Sequence, residues 1–334
     1  TKALSLEPGH GDAAFNLSYI MLMEGDFAHG LPLYERRLDK KELSYLKDAR
    51  SLKPGDPLKD RTILVRCEQG LGDTLQFVRF LPLLKDRGAN VVLELQPQLI
   101  RLLSRCEGID DIVPRKGDLS APDVRYDHSV PLLSLPYLFG ISADTIPADV
   151  PYIHLADDTI RKWREATSPR RDNNTLLAGI VWSGNRRYSG NASRSLSLER
   201  FYPVFSTPGA CFYSLQFGEA VEEAGRLPPL SNLLFMTDEI REFTDTAGLM
   251  KNLDLVITID SVTAHLAGAL GVPVWNLLPY VPDWRWRLKR EDSPWYPTMR
   301  LFRQSSLDDR ESLLEGVRAA LVDLLDGRRQ PANP

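Results

Sequence analysis

Two turns that follow apolar runs carry the residue types most able to do chemistry in this chain. Gly70-Leu-Gly-Asp73 follows the run 62–67, and Asp260-Ser-Val-Thr-Ala-His265 follows the run 253–259. Each run predicts a buried strand, and each turn predicts the start of a helix. Free backbone N–H groups at the positive end of a helix attract anions. Together the turns predict two Rossmann-like domains that face each other across a cleft and handle a phosphorylated ligand.

Asp73 has two possible roles at the first turn. Asp73-Thr-Leu-Gln76 matches a capping box, in which Asp73 would be a helix cap with a lowered pKa. Alternatively, its carboxylate is a general base that removes a proton from an acceptor hydroxyl. The adjacent glycines favour the base, because a cap alone does not need exposed backbone beside it. The predicted acceptor-side residues are Gln69, Gly70, Gly72 and Thr74.

The second turn places a hydroxyl and an imidazole at the start of one helix. With Asp260 near the N-cap, Ser261 and His265 lie four residues apart on one helical face. This group, with Val262, is predicted to bind a diphosphate. The alternative is that Asp260 only caps the helix and that His265 is a hydrogen-bonded core histidine.

Two more strand-end loops in the second half are predicted to contribute to the same phosphate-binding site. The first begins at Trp182-Ser-Gly-Asn185, and its guanidinium groups could hold phosphate oxygens, Arg194 being favoured over Arg186 and Arg187. In the second, Gln216 and Glu219 could bind the base or ribose of a nucleotide. The alternatives are solvated arginines and, for Glu219, a charge that favours the start of a helix.

Three of the six tryptophans lie in the segments 282–286 and 293–297. Such a dense aromatic loop could stack on a sugar or a base. Packing in the core is the favoured interpretation, because aromatic side chains dominate protein cores.

Several other classes of protein lack their signatures here. The five histidines show no ligand spacing, there is no Asp-x-Asp and no Walker A motif, and Gly70-Leu-Gly72 lacks the third glycine of a dinucleotide fingerprint. We therefore predict no metal and no bound cofactor. A net charge of −4 argues against nucleic acid as the main partner.

The cysteines and the hydropathy bear on the compartment. Three scattered cysteines form no secreted-type framework, so a cytoplasmic location is predicted. No apolar run approaches the roughly 20 residues of a membrane span, so no membrane span is expected.

The N-terminal residues match the spacing of a tetratricopeptide repeat. The matching residues are Leu17, Met21, Gly25, Phe27, Gly30 and Tyr34. We predict the end of a repeat array with further repeats before Thr1, since a single repeat cannot bury a solenoid core. The alternative is a generic helical hairpin.

Alternation of strands and helices then predicts the domain organisation. The predicted parts are the end of the repeat array (1–38), a linker (39–60), a Rossmann-like acceptor domain (61–155), an interdomain linker (156–175), a Rossmann-like donor domain (176–304) and a C-terminal helix (305–326).

These residues resemble bacterial tetratricopeptide-linked glycosyltransferases, whose catalytic region is similar to the ADP-heptose:lipopolysaccharide heptosyltransferases of glycosyltransferase family 9. The blocks that carry the resemblance are 68–74, 134–136, 194–196, 214–216, 245–247, 253–286 and 292–304. The resemblance implies an α/β protein of the GT-B fold, preceded by a helical hairpin of the tetratricopeptide type. It also implies a metal-independent, inverting reaction.

The resemblance also assigns roles to individual residues. It makes Asp73 the general base and Asp260, Ser261 and His265 the binders of the donor diphosphate. Arg194 matches a phosphate-binding residue that is usually lysine in heptosyltransferases. Glu219 matches a carboxylate that contacts the nucleoside.

The predicted function is transfer of a sugar from a nucleotide-sugar donor to an acceptor hydroxyl. A protein recruited by the repeats, such as a surface protein of the flagellin class, is the favoured acceptor. The alternatives are a lipopolysaccharide or other saccharide acceptor, a non-catalytic scaffold and, more remotely, a sugar-nucleotide epimerase of the same fold.

Overall fold

The chain divides into two units, and the division does not follow the order of the sequence. The computed structural model describes residues 2–171, 174–186, 190–226, 228, 230–236 and 239–329. The first unit comprises Thr1–His154 and Asp283–Arg290, and the second comprises Leu155–Pro282 and Glu291–Pro334. Residues 283–290, which we predicted within the donor domain, therefore pack with the first unit.

The sheet of the first unit is wholly parallel. Its strands are β1 (Thr62–Arg66), β2 (Asn90–Leu95), β3 (Asp111–Pro114) and β4 (His128–Pro131), in the order β3-β2-β1-β4. The apolar side chains of β1, β2 and β4 are buried because parallel sheets are covered on both faces, whereas those of the edge strand β3 are half-buried. The strand order reverses between β1 and β4, and ligands of such sheets bind beyond the carboxyl ends of the strands at this reversal. The turn that contains Asp73 follows β1.

The first unit also holds an N-terminal hairpin and short helices around the sheet. The helices are α1 (Lys2–Leu6), α2 (Gly11–Glu24), α3 (Phe27–Tyr34), α4 (Leu71–Phe77), α5 (Leu81–Lys85), α6 (Ile100–Leu103) and α7 (Leu135–Leu138). The helix that we expected to start after a cap at Asp73 begins earlier, at Leu71, and is interrupted by a 3-10 turn over Val78–Phe80. Pro82, which has no N–H to donate, lies in the first turn of α5 and accounts for the break.

Helices α2 and α3 form a tightly packed helical hairpin. Gly25 ends α2 with a φ of 92°, in the left-handed region that favours glycine. A Cβ at Gly30 would lie 2.8 Å from Cγ of Leu22, so the helices can approach this closely only with glycine there. That the hairpin belongs to a tetratricopeptide array stays a prediction.

The segment 39–60, predicted as a linker, is packed into the first unit. It contains a 3-10 turn over Lys41–Leu46, and Leu46, Leu52 and Leu58 are buried. It therefore belongs to the body of the unit, because its regularly placed leucines supply apolar surface that a solvated linker would not bury.

A buried ion pair connects the hairpin to the turn after β1. Arg37, which follows α3, donates from Nε to Oε2 of Glu68 (3.0 Å) and from Nη2 to Oε1 (2.7 Å). Neither side chain is more than 1% exposed. Nη2 also donates to the Ser134 hydroxyl at 2.8 Å. Such a two-pronged contact fixes both distance and orientation.

The second unit contains a larger parallel sheet. Its strands are β5 (Leu176–Val181), β6 (Ala210–Ser214), β7 (Leu233–Phe235), β8 (Leu255–Ile259), β9 (Val274–Leu278) and β10 (Met299–Arg303), in the order β10-β9-β8-β5-β6-β7. The order is that of a doubly wound sheet, with its reversal between β5 and β8. Asn185 and Arg194 follow β5 along the chain. Ser261 and His265 follow β8.

The helices of the second unit correct two predicted boundaries. They are α8 (Asp157–Thr167), α9 (Asn191–Arg194), α10 (Tyr202–Phe205), α11 (Phe243–Met250), α12 (Val262–Ala269) and α13 (Arg310–Arg329). The predicted linker 156–175 contains α8, whose Trp163 is buried so close to α11 that a Cβ at Gly248 would lie 2.4 Å from the indole. The C-terminal helix begins at Arg310, later than predicted, because the Asp309 carboxylate accepts a hydrogen bond from the Ser312 N–H.

Three further findings concern the composition-based predictions. Cys67, Cys106 and Cys211 are free and buried. Burial raises the pKa of the Cys67 and Cys106 thiols to about 12. Among the described helices, none combines the length and the apolar character needed to cross a bilayer.

Arg37→Met should destabilise the first unit by about 3–5 kcal/mol, because it leaves the Glu68 carboxylate buried without its cation. Arg36→Met is the matched control. Arg36 pairs with Asp39 at 3.4 Å on the surface, where an ion pair contributes about 1 kcal/mol or less. Urea unfolding followed by tryptophan fluorescence measures both effects, and equal losses for the two variants would contradict the assigned role of the buried pair.

Candidate functional sites in the two units

In the first unit, Asp73 occupies the third position of α4, whose N-cap is Gly70. Its Oδ2 accepts a hydrogen bond from the Gly70 N–H at 2.9 Å. Asp73 is therefore not the N-cap residue that its spacing from Gln76 suggested. It supplies the other half of a capping box, the carboxylate that reaches back to the N-cap N–H. The difference arises because the helix begins at Leu71.

The second oxygen of Asp73 meets a buried arginine that the sequence pattern did not predict as a site residue. Oδ1 accepts a hydrogen bond from Nη2 of Arg285 at 2.6 Å. Arg285 also donates from Nε to the Gln76 side-chain oxygen (2.6 Å) and from Nη1 to Asp283 (2.9 Å). The only signal in the sequence is an arginine between two tryptophans in the aromatic segment 282–286, which does not reveal its partner.

Burial raises the pKa of Asp73 above its ordinary value. Arg285 and the Gly70 N–H act in the opposite direction, while the negative charges of Asp283 and Glu68 add to the increase. The capping interpretation led to the opposite expectation, a lowered pKa. A carboxylate with a raised pKa is a better proton acceptor near neutral pH.

The other predicted acceptor-side residues lie in and around this turn. Gln69 has a φ of 56°, and its amide nitrogen donates to the Tyr34 hydroxyl of α3 at 3.2 Å. Gly72 lies within the first turn of α4. The buried Thr74 hydroxyl donates to the Gln96 side-chain oxygen at 3.0 Å. The amide nitrogens of Gln76 and Gln96 are buried without a hydrogen-bond partner in the described part of the chain, so each has an unused donor.

In the second unit, the loops after β5 and β8 are joined by Arg194. Its Nη1 donates to the backbone carbonyl of Asp260 at 2.8 Å. Ser261, not Asp260, is the N-cap of α12, and its hydroxyl accepts a hydrogen bond from the Thr263 N–H at 3.3 Å. Val262 is the first residue of the helix. The structure thus brings Arg194, Ser261 and the start of α12 together at the reversal of the strand order.

His265 projects from α12 into a buried contact with Tyr296. Its Nδ1 lies 3.0 Å from the Tyr296 hydroxyl, and the rings meet edge to face. A Cβ at Gly268 would lie 2.5 Å from the tyrosine ring, so glycine is what allows Tyr296 to reach the helix. This hydrogen bond agrees with the core-histidine alternative. The contact also orients the imidazole, which a diphosphate-binding histidine requires.

The Gln216 side chain is engaged with the protein backbone. Its oxygen accepts from the N–H groups of Trp182 (3.1 Å) and Ser183 (2.9 Å), and its nitrogen donates to the carbonyls of Ser183 and Phe217, both at 3.0 Å. In this structure the amide joins the ends of β5 and β6. The nucleotide-binding role that we predicted for it stays a prediction.

The remaining predicted donor residues lie on the surface of the second unit. Asn185 is exposed. Glu219 is 72% exposed and pairs with Arg186 at 2.8 Å. Arg187 lies outside the described residues.

The tryptophans of the aromatic segments are core residues, as the packing interpretation favoured. Trp284, Trp286 and Trp295 are at most 1% exposed. The Trp284 ring meets Phe27 and Tyr34 of the hairpin at centroid distances of 6.1 and 5.9 Å. Within the described residues, no group of three or more histidine, cysteine or acidic side chains could hold a metal ion. The predicted independence from metals stays a prediction.

Comparisons with known proteins relate the fold to glycosyltransferases. No family model matches the chain. Protein FlbA of Caulobacter vibrioides is 25% identical over 333 residues, which cover 92% of this chain and 54% of FlbA, so the chain spans about half of that relative.

Two solved structures have a similar fold. The glycosyl transferase family 9 protein of Veillonella parvula aligns with a TM-score of 0.59 and 13% identity over 81% of this chain and 99% of its own. ADP-heptose lipopolysaccharide heptosyltransferase II of E. coli aligns with a TM-score of 0.56 and 16% identity, over 80% of this chain and 100% of its own. The α/β fold with parallel sheets is thus that of GT-B glycosyltransferases.

Gln216→Leu should destabilise the second unit by roughly 1–3 kcal/mol or more, since it leaves two buried backbone N–H groups without an acceptor. Glu219→Gln is the control, because this exposed pair contributes about 1 kcal/mol or less. Thermal unfolding of the purified variants measures the difference. An unchanged unfolding temperature in Gln216→Leu would show that the turn after β5 does not depend on the Gln216 amide.

Proposed function

We propose that this chain is a glycosyltransferase that moves a sugar from a nucleotide-sugar donor to an acceptor hydroxyl, without a metal and with inversion. The observation that carries the proposal is the grouping of Arg194, Ser261 and the start of α12 where the strand order reverses between β5 and β8. This is the position at which open α/β sheets bind ligands, and the fold is that of glycosyltransferases.

The second unit holds the donor in this proposal. Charge develops on the leaving diphosphate as the bond to the sugar breaks, and N–H and cationic groups already in position stabilise it. The Arg194 guanidinium, the Ser261 hydroxyl, the first N–H groups of α12 and the His265 imidazole provide this stabilisation. Asn185, Val262, Gln216 and Glu219 are the proposed contacts to the rest of the donor.

Asp73 of the first unit is the proposed general base. Its carboxylate takes the proton of the acceptor hydroxyl as that oxygen attacks the anomeric carbon. A raised pKa suits this role, and the side chain remains 21% exposed. Gln69, Gly70, Gly72 and Thr74 form the acceptor side around it.

The proposed acceptor is a protein that helical repeats bring to Asp73. The hairpin is built into the same unit as the base, through the Arg37–Glu68 pair and through Tyr34, whose hydroxyl meets Gln69 beside the glycine-rich turn. A saccharide of the lipopolysaccharide type is the second candidate. It is supported by the structural likeness to the E. coli lipopolysaccharide heptosyltransferase.

Thermal unfolding against a panel of nucleoside diphosphates and nucleotide sugars, including ADP- and CMP-linked sugars, tests the donor. A nucleotide present at 100 times its dissociation constant should stabilise the native state by about 2.7 kcal/mol. Selective stabilisation by one nucleotide supports the proposal and identifies the donor class. No shift with any member would favour a non-catalytic scaffold.

Two substitutions should separate donor binding from chemistry. His265→Ala should weaken binding of the nucleotide that the panel selects, because the diphosphate loses an oriented imidazole.

Asp73→Asn should leave that binding unchanged and reduce release of the nucleoside diphosphate by about 10²–10⁴-fold, the usual contribution of a general base. Asp86→Asn, an exposed acidic residue of the same unit, is the control. Equal loss of binding and turnover in Asp73→Asn would refute the base assignment.

A further inference from the structure

We propose that Arg285 is the positioning residue of this reaction, which holds the Asp73 carboxylate in one orientation and in its ionised form. The inference rests on the proposed function of Asp73 and adds a residue to it. It starts from the contact between Nη2 of Arg285 and Oδ1 of Asp73, at 2.6 Å.

Arg285 is too deeply buried to contact a substrate itself. Its side chain is 6% exposed, against 21% for Asp73. The guanidinium lies over the rings of Trp284 and Phe77, 4.7 and 5.4 Å from their centroids. It therefore acts through the carboxylate of Asp73, which is the more exposed of the two groups.

The hydrogen bonds around Asp73 leave it able to take a proton. Oδ1 accepts from Arg285 and Oδ2 accepts from the Gly70 N–H, and each carboxylate oxygen has a second lone pair. The Gln76 side-chain oxygen holds Nε of Arg285 at 2.6 Å, which fixes the plane of the guanidinium. Because arginine does not lose its proton in proteins, Arg285 remains a donor and a positive charge throughout the reaction.

The step is balanced within this arrangement. The proton of the acceptor hydroxyl moves to an oxygen of Asp73, and the acceptor oxygen forms a bond to the anomeric carbon. The bond from that carbon to the diphosphate oxygen breaks, and its electron pair leaves with the nucleoside diphosphate.

Asp283 shares the same guanidinium and so tunes the base. Its Oδ1 accepts from Nη1 of Arg285 at 2.9 Å and also from the Arg285 backbone N–H at 3.0 Å. Among the described residues, Glu68, Tyr34 and Tyr19 also interact electrostatically with Asp73 or Arg285. Removing the cation should therefore favour protonated Asp73, and removing the competing Asp283 charge should favour the carboxylate.

The first test is a pH titration that needs no substrate. The pKa of Asp73 is followed by carbon NMR of the full chain labelled at aspartate Cγ, with the Asp73 signal assigned by its loss in Asp73→Asn. Arg285→Met should raise this pKa by about 1–3 units, the usual effect of losing an adjacent opposite charge. Asp283→Asn keeps an oxygen to cap the Arg285 N–H, and it should lower the pKa.

The second test is the pH dependence of nucleoside diphosphate release from the donor that the panel selects. Asp73 acts as a carboxylate, so the rate falls as pH falls through its pKa. Arg285→Met should move this acidic limb to higher pH and lower kcat with little change in donor KM, and Asp283→Asn should move the limb to lower pH. Arg285→Lys keeps the positive charge but lacks the planar guanidinium. Its acidic limb should therefore stay closer to the original pH than that of Arg285→Met.

The outcomes separate this inference from the proposed function. An unchanged Asp73 pKa in both Arg285→Met and Asp283→Asn, or a loss of stability with an unmoved acidic limb, would overturn the role of Arg285. If the pKa shifts as expected but the wild-type chain turns over no nucleotide sugar, the proposed function fails while the electrostatic coupling stands. Should Arg285→Met not fold, Arg285→Lys and Asp283→Asn decide the question.

Discussion

Three buried arginines of the first unit each lie beside a carboxylate, and these ion pairs organise the unit. Arg37 meets Glu68, Arg66 meets Glu94, and Arg285 meets Asp73, each with a guanidinium that is at most 6% exposed. An isolated ion in such surroundings would cost several kcal/mol. Each pair therefore determines where a distant piece of chain must lie.

Two of these pairs converge on the turn after β1. Glu68 and Asp73 lie on either side of the glycines, and their partners come from the end of the hairpin and from the segment 283–290. The hairpin is consequently part of the environment of the proposed base. Tyr34 extends this contact, because its hydroxyl meets Gln69 and its ring packs on Trp284. The same turn that would receive an acceptor is thus held by residues from three parts of the sequence.

The second unit uses a different principle, the geometry of a doubly wound sheet. The carboxyl ends of β5 and β8 are neighbours at the reversal of strand order, so the parallel pairing of the strands itself brings their loops together. Gln216 ties the loop after β5 to the end of β6, and Arg194 reaches the carbonyl that precedes Ser261. The N-cap hydroxyl, the guanidinium and the helix start then form one polar group at the carboxyl ends of the strands.

The local pattern of the sequence was sufficient for the strands, for a helical hairpin and for the presence of a helix after each of the two turns, although α4 begins before Asp73 and Ser261, not Asp260, caps α12. These features depend on side-chain alternation, glycine placement and short polar residues, all of which act within a few positions along the chain. Only the tertiary structure decided that α8 lies within the predicted linker and packs on α11, that residues 283–290 join the first unit, and that Arg285 is the partner of Asp73. A contact between residues 212 positions apart leaves no periodic trace in the sequence. The pKa of Asp73 depends on the same distant groups, because burial and neighbouring charge exist only once the chain has folded.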